Sequence, residues 1–405
     1  MDFLKEIVTN ITPAKEEYSK LNEIVSKIKN KIKIKKAVVE LGGSGSKNTW
    51  SKGNHDIDLY VKFGLNEYKN KDISSILKKE LKRHFKPMIL HGSRDYFQII
   101  MENYTVEIIP IMNIKHPREA LNLTDISPFH CDYVKKHDKS KEIRLAKAFC
   151  RTNKCYGAES YIGGFSGYVL EILVIHYGSF VKLLKGASKW KSRMFIGNRT
   201  DIENLNISKK MGPLVLIDPV DKNRNAAAAL SYEKYNDFIN ACKKFLKNPK
   251  KDFFIERKFD EQSFIKKHPN KEIIILEAVT LNSKKDVMGA KLLKCFNYIK
   301  ERFKLNGFNI MHSEWHWDEK KSAFFYLVFD NKEISSTARH YGPPASAKKG
   351  MQGFIKKWGK GNIKKDGARI YTDIKREFTK PKQYALHLTK NDRNIMNYVK
   401  LLLLR

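Results

Sequence analysis

Asp56 and Asp58 stand one residue apart in "NHDIDLYVKF", shortly after the glycine-serine run "LGGSGSKNTW". On a β-strand, residues i and i+2 point to the same face, so the two carboxylates project together while Ile57 and Leu59 turn toward a core. Like charges held side by side repel, and a cation between them offsets that repulsion. With a third carboxylate from a nearby strand, such a pair can hold two Mg²⁺ ions about 3.5–4 Å apart for phosphoryl or nucleotidyl transfer. "YTVEIIPIM" offers Glu107, a charge inside so apolar a strand that it needs a partner. The turn ahead of the aspartates supplies the other half of the site. Gly42 and Gly43 let the backbone approach a phosphate, Ser44 adds a hydroxyl, and Lys47 brings a positive charge toward a triphosphate.

These side chains need a sheet to aim them. "KKAVVELGG" and "DIDLYVKFG" read as strands, and "DISSILKKELKRHF" as a helix capped by Asp72 and stopped before Pro87. "DYFQIIMENYTVEIIPIM" reads as two strands joined at Glu102-Asn103. With the helical stretch over residues 2–33, they make a small α/β catalytic domain over residues 1–116. Residues 117–250 are mostly helical in pattern, and "SGYVLEILVIHYGSF" reads as helical core. Residues 251–405 open as strand, long helix, strand, strand, half of a ferredoxin-like unit and a common RNA-binding arrangement. A basic tail follows. The expected fold class is therefore multidomain, α/β followed by α+β.

Of the 405 residues, 78 are Lys or Arg and 44 Asp or Glu, a formal net charge of +34. Such a surplus favours a polyanionic partner, because neutralising phosphates releases counterions. It is strongest after Lys332, where Phe354, Trp358 and Tyr371 are interleaved with lysines; spaced aromatics among cations suit RNA better than a membrane face. The five cysteines form no CxxC pair and no zinc spacing, and their odd number argues against a disulfide framework. "MDFLKEIVTN" lacks the long apolar run of a signal peptide, and no 18-residue apolar stretch occurs. The expectation is a soluble, cytoplasmic protein with no membrane association.

The motif that carries the aspartates resembles that of the nucleotidyltransferase superfamily that includes DNA polymerase β. "GSGSKNTWSKGNHDIDLY", "VEIIPIMN", "IRLAKAFCRTNKCYGAE", "IDPVDKNRNAAAALS" and "GPPASAKKGMQGFIKKW", in that order, are similar to the archaeal-type (class I) CCA-adding enzymes, the tRNA nucleotidyltransferases. The resemblance implies a polymerase-β-like head, a helical central domain for base recognition and a C-terminal tRNA-binding body and tail. It implies template-independent addition of C, C and A to tRNA from CTP and ATP. It places Asp56, Asp58 and Glu107 as the Mg²⁺-binding catalytic triad and Ser44 and Lys47 on the triphosphate side. His130, Lys147 and Tyr156 match nucleotide-contacting positions, and Arg224 matches the arginine that reads the incoming base together with the tRNA backbone. Two positions depart from the family pattern: Glu107 where aspartate is usual, and Lys47 where arginine is common, a point charge in place of a bidentate fork. A relaxed RNA-tailing enzyme such as a poly(A) polymerase and a noncatalytic tRNA-binding protein are the competing readings, and a homodimer is left open.

Overall fold

The computed structural model of the chain describes residues 2–281, 283–344 and 346–405. They form two compact units, one ending at Arg257 and the other beginning at Lys258.

In the first unit, α1 (Phe3–Ile11) and α2 (Lys15–Lys31) lead into β1 (Ala37–Leu41), the short α3 (Gly43–Ser46) and β2 (Asp56–Gly64). α4 (Leu65–Tyr68), α5 (Ile73–Lys82), β3 (Met88–Leu90), β4 (Tyr96–Met101) and β5 (Tyr104–Asn113) follow. The sheet order is β1-β2-β5-β4-β3, with β2 and β5 parallel and all other neighbours antiparallel. A parallel pair cannot be closed by a tight turn, so α4, α5 and the β3–β4 ribbon provide the crossover. Alternation along β2 sends Ile57, Leu59, Val61 and Phe63 into a core with Leu21, Ile24 and Ile28 of α2 and Leu77 and Leu81 of α5. Asp56, Asp58 and Tyr60 are left on the opposite face. Between β4 and β5, Met101 pairs with Tyr104, so Glu102 and Asn103 form a two-residue turn with Glu102 at φ +54°.

A second core in the same unit is helical: α6 (Ser127–His137), α7 (Ser140–Thr152), α8 (Gly167–Tyr177), α9 (Phe180–Ala187), α10 (Arg199–Asn204) and α11 (Tyr232–Lys247). Two short parallel strands, β6 (Met194–Ile196) and β7 (Leu214–Leu216), are too brief to leave a periodic signal in the sequence. Phe149, Phe165, Phe180, Phe238 and Phe245 fill this core. α1, which sequence reading groups with the catalytic domain, packs here instead, through its buried Ile7. Helix α8 starts with the Ser166 hydroxyl accepting from Val169 N–H and stops at Gly178, φ +86°. Among the described residues no single helix is long and apolar enough to cross a membrane.

The second unit contains α12 (Glu261–Lys266), β8 (Lys271–Val279), α13 (Lys285–Leu305), β9 (Ile310–Trp317) and β10 (Ser322–Asp330). It continues with β11 (Thr337–Pro344), α14 (Lys348–Trp358), β12 (Lys364–Asp366), β13 (Arg369–Lys375), α15 (Pro381–Asn391) and β14 (Leu401–Leu404). Its main sheet runs β14-β8-β10-β9, all neighbours antiparallel. β8 and β9 are therefore parallel and split by β10, and α15 with β14 supplies the second half of a ferredoxin-like unit. α13 and α15 bury Phe296, Ile299, Phe303 and Leu388 against one sheet face. The basic stretch is itself folded. It contributes the sheet β11-β13-β12 and α14, which buries none of its residues and stacks Phe354 on His340 at 5.8 Å.

Candidate active site

The parallel pairing of β2 with β5 sets Asp58 opposite Glu107 and Asp56 opposite Thr105. Register partners in neighbouring strands face the same way, so all three acids lie on the sheet face turned away from α2 and α5. Asp56 is exposed, while Asp58 and Glu107 are half-buried, and Gln98 Nε2 stands 3.5 Å from Glu107 Oε1. Burial raises the Asp58 carboxyl above its ordinary value; Lys47 opposes that shift and Asp56 reinforces it. Oxygen donors on one face, one of them held against burial and a like charge, suit a hard divalent cation. The three acids fit Mg²⁺ as a donor set, although among the described residues no three His, Cys, Asp or Glu side chains gather around one point.

The glycine-serine run folds as α3 against β2. Gly42 N–H donates to Asp58 O at 2.8 Å, and Gly43 N–H to the Tyr60 hydroxyl at 3.4 Å. Gly43 has φ +52°, and a Cβ there would fall 1.6 Å from Asp58 Oδ2, so both backbone conformation and space require glycine. The turn then enters the helical core by way of "KNTWS". Lys47 Nζ reaches Glu171 Oε2 at 2.7 Å, and the Thr49 hydroxyl donates to Glu171 Oε1 at 2.8 Å. Asn48 Oδ1 and the Trp50 carbonyl accept from the buried Arg144 of α7 at 2.7 Å each.

Beside the acid face opens a cavity of about 350 Å³, walled by Lys47, Tyr60, His130, Ser166, Tyr168 and Arg224, among others. Behind its helical wall lies Asp218, with no exposed surface. Its Oδ1 accepts from the Tyr168 hydroxyl and from Val220 N–H, both at 2.9 Å, and its Oδ2 from Arg224 at 2.8 Å. His130 Nε2 lies 3.1 Å from the same Oδ2, off the line of a good hydrogen bond, and the His130 ring lies over Tyr168 at 4.2 Å. Burial works to raise the Asp218 carboxyl, but the His130, Val220 and Tyr168 contacts hold it at about 2.

Lys47, His130 and Arg224 thus share one cavity, and Gly43 and Ser44 lie in the turn between that cavity and the acids. Lys147 and Tyr156 do not line it. Lys147 is buried, and its ammonium donates to Glu171 Oε1 at 2.8 Å, Thr49 Oγ1 at 3.0 Å and Thr49 O at 3.2 Å, which occupies all three of its protons. Tyr156 sits under the Arg151 guanidinium, 4.7 Å from its ring centre. Sequence reasoning assigned no role in the site to Glu171 or Tyr168, and Asp218 entered it only as a neighbour able to pair with Arg224 at the surface; the pair forms, but with Asp218 buried. For Glu171 the signal was available: an acid inside "VLEILVI" is as anomalous as Glu107 inside its strand, and the apolar helix reading passed over it.

This mixed sheet, with paired acids behind a glycine-serine turn and a helical wall facing them, is the polymerase-β-like nucleotidyltransferase fold. In fold the chain is similar to the Cid1 poly(U) polymerase solved with Mg and 3′-dATP bound, with a TM-score of 0.51 at 14% identity over 63% of this chain and 98% of that one. Two family models match along the sequence: the second domain of tRNA nucleotidyltransferase over residues 141–255, and the C-terminal domain of the CCA-adding enzyme over residues 271–395. The CCA-adding enzyme of Nanoarchaeum equitans is 35% identical, covering 93% of this chain and 94% of that one. Those of Methanosarcina barkeri (87% and 80% covered) and Methanocaldococcus jannaschii (93% and 88%) are each 30% identical. The chain belongs to the CCA-adding enzyme family, and the protein is a nucleotidyltransferase.

Proposed function

We propose that this protein adds C, C and A to the 3′ end of tRNA from CTP and ATP, without a nucleic-acid template, releasing pyrophosphate at each step. The observation that supports the reading is a juxtaposition: Asp56, Asp58 and Glu107 share one face of β2–β5, beside a cavity walled by Lys47, His130 and Arg224. The family membership gives that juxtaposition its substrate.

The 3′-hydroxyl oxygen attacks the α-phosphorus in line. A new P–O bond forms, the bond to the β-phosphate oxygen breaks, and the hydroxyl proton leaves to solvent. Asp56, Asp58 and Glu107 are the residues that would hold Mg²⁺, as a two-ion site. When bound, it lowers the pKa of the attacking hydroxyl and neutralises charge on the leaving pyrophosphate. The α3 turn, with Gly43 and Ser44, and the Lys47 ammonium take up the triphosphate. Arg224, anchored by Asp218, offers its remaining N–H groups to the base edge and to the RNA backbone; a guanidinium keeps its charge and fork geometry for both. The +34 charge and the basic second unit suit the tRNA body, recognised by A-form shape. The cytoplasm is the compartment where these substrates meet, and a homodimer is the assembly to test by light scattering.

Incubating the protein with tRNA that lacks its CCA end, labelled CTP and ATP, and Mg²⁺ tests the reading. A three-nucleotide extension is expected. Long homopolymer tails on an unstructured RNA would instead make it a tailing enzyme, and tight tRNA binding without extension would make it a binding protein.

A further inference from the structure

Helix α8 carries one acid among buried Val169, Leu170, Ile172, Leu173 and Val174, and that acid, Glu171, has no exposed surface. Three residues before it, one helical turn along the same side, Tyr168 lines the cavity. Glu171 binds two lysines, through Oε2 to Lys47 at 2.7 Å and through Oε1 to Lys147 at 2.8 Å. Two ammonium groups and one carboxylate leave this cluster with one positive charge in excess. The two lysines are not equivalent. Lys147 comes from α7, points inward and has all its protons bound, whereas Lys47 comes from the turn after α3, keeps one-tenth of its side chain exposed, and lines the cavity. Its ammonium also lies 5.9 Å from the Tyr168 ring centre and within electrostatic reach of Asp58.

Resting on the nucleotidyl-transfer reading above, we propose that Glu171 is a positioning residue for nucleotide binding: it holds the Lys47 ammonium at the cavity wall, where the excess charge of the cluster meets the triphosphate. A lysine has a long, flexible stem, and tying its ammonium to a helix in the core removes most of that freedom before the nucleotide arrives. Lys147 keeps the carboxylate in place from behind, together with the Thr49 hydroxyl, which accepts from Lys147 and donates to Glu171. The arrangement resembles a clamp with its fixed jaw in α7 and α8 and its working tip at Lys47.

Two variants separate positioning from mere stability. Glu171→Gln removes the charge that holds both lysines and leaves Lys147 buried without its carboxylate, so it also weakens the fold. Glu171→Gln combined with Lys147→Met removes the inner ion pair as a unit, with a side chain of similar length in place of lysine, and should recover the part of the thermal stability lost by stranding Lys147. KM for CTP and for tRNA lacking CCA, and calorimetric binding of inorganic tripolyphosphate, are measured for wild type and both variants. The expected result is a KM for CTP raised about tenfold in both variants, tripolyphosphate binding weakened in parallel, and a KM for tRNA unchanged. A CTP KM that returns to the wild-type value in the double variant, or a tRNA KM that moves with it, would overturn the proposal and leave Glu171 a structural ion. Failure of wild type to extend tRNA would instead sink the functional reading itself.

Discussion

The carboxylates of the sheet face and those of the helical wall are treated in opposite ways by the fold. Asp56 and Asp58 are placed by backbone alternation, and among the described residues their carboxylates accept no hydrogen bond and make no ion pair. Glu171 and Asp218 have no exposed surface and are held on both oxygens, Glu171 by Lys47, Lys147 and Thr49, Asp218 by Arg224, Tyr168 and Val220 N–H. The titration directions follow: burial lifts Asp58, whereas its cationic partners hold Glu171 at about 2. An acid kept short of partners is ready for a cation that arrives from solution. A saturated acid has its cation built in, and its work is to hold that cation still.

The largest effect should come from breaking the saturated side. For Glu171 the folded pKa of about 2 lies below the ordinary 4.5, with burial opposing the shift and Lys147 and Lys47 outweighing it. A depressed carboxyl stabilises the fold above its unfolded pKa and ceases to do so as pH falls through the folded one. Glu171→Gln should therefore cost about 3–5 kcal/mol in denaturant unfolding at neutral pH, the range for stranding one side of a buried pair. The difference from wild type should shrink between pH 4.5 and about 2. An equal difference at both ends of that window would mean that the variant acts by packing and not by charge.

Asp58→Asn tests the other side, and the comparison predicts the reverse sign on stability. The Asp58 pKa is raised, so the folded state disfavours its ionised form; that penalty is present at neutral pH and lifts as pH falls through the folded pKa. In buffer with EDTA, the melting temperature of the Asn variant should exceed that of wild type, while turnover falls at least a hundredfold, roughly the upper end of what even an outer-shell metal partner costs. RNA binding should persist. A variant that keeps its turnover removes Asp58 from the site.

What was legible in the sequence divides along the same line. β2 could be read because strand alternation is strict: once Ile57 and Leu59 are core, Asp56 and Asp58 must share the other face. The strand, helix, strand, strand order of the second unit was legible too, because each element has its own period. Its closing strand β14 was not, since Leu401–Leu404 is too short to distinguish from any apolar patch and becomes a strand only by pairing with β8. Nor was the wall legible. Glu171 with Lys47 and Asp218 with His130 are pairs distant in sequence, and no local period announces a side chain whose partner lies on another element. The same holds for Lys147, whose place on an amphipathic helix is readable while its direction, set by Glu171 and Thr49, is not.

The smallest predicted effect is the most specific. Asp218→Asn keeps an acceptor at Oδ1 for Tyr168 and Val220, but it puts an amide N–H₂ where Oδ2 accepts from Arg224 and faces His130. Donor then meets donor, and the guanidinium loses its anchor without losing its charge. With the acids of the sheet face and the Lys47 clamp untouched, transfer of the correct nucleotide should fall only a few-fold. If Arg224 reads the base from a fixed position, the frequency of A inserted where C belongs should rise by about tenfold, the equivalent of roughly 1.4 kcal/mol of lost discrimination. Sequencing the ends of tRNA extended in equal CTP and ATP measures that ratio directly. If fidelity is unchanged while turnover collapses, Asp218 belongs with Glu171 as a support for the triphosphate end, and the helical wall has one function instead of two.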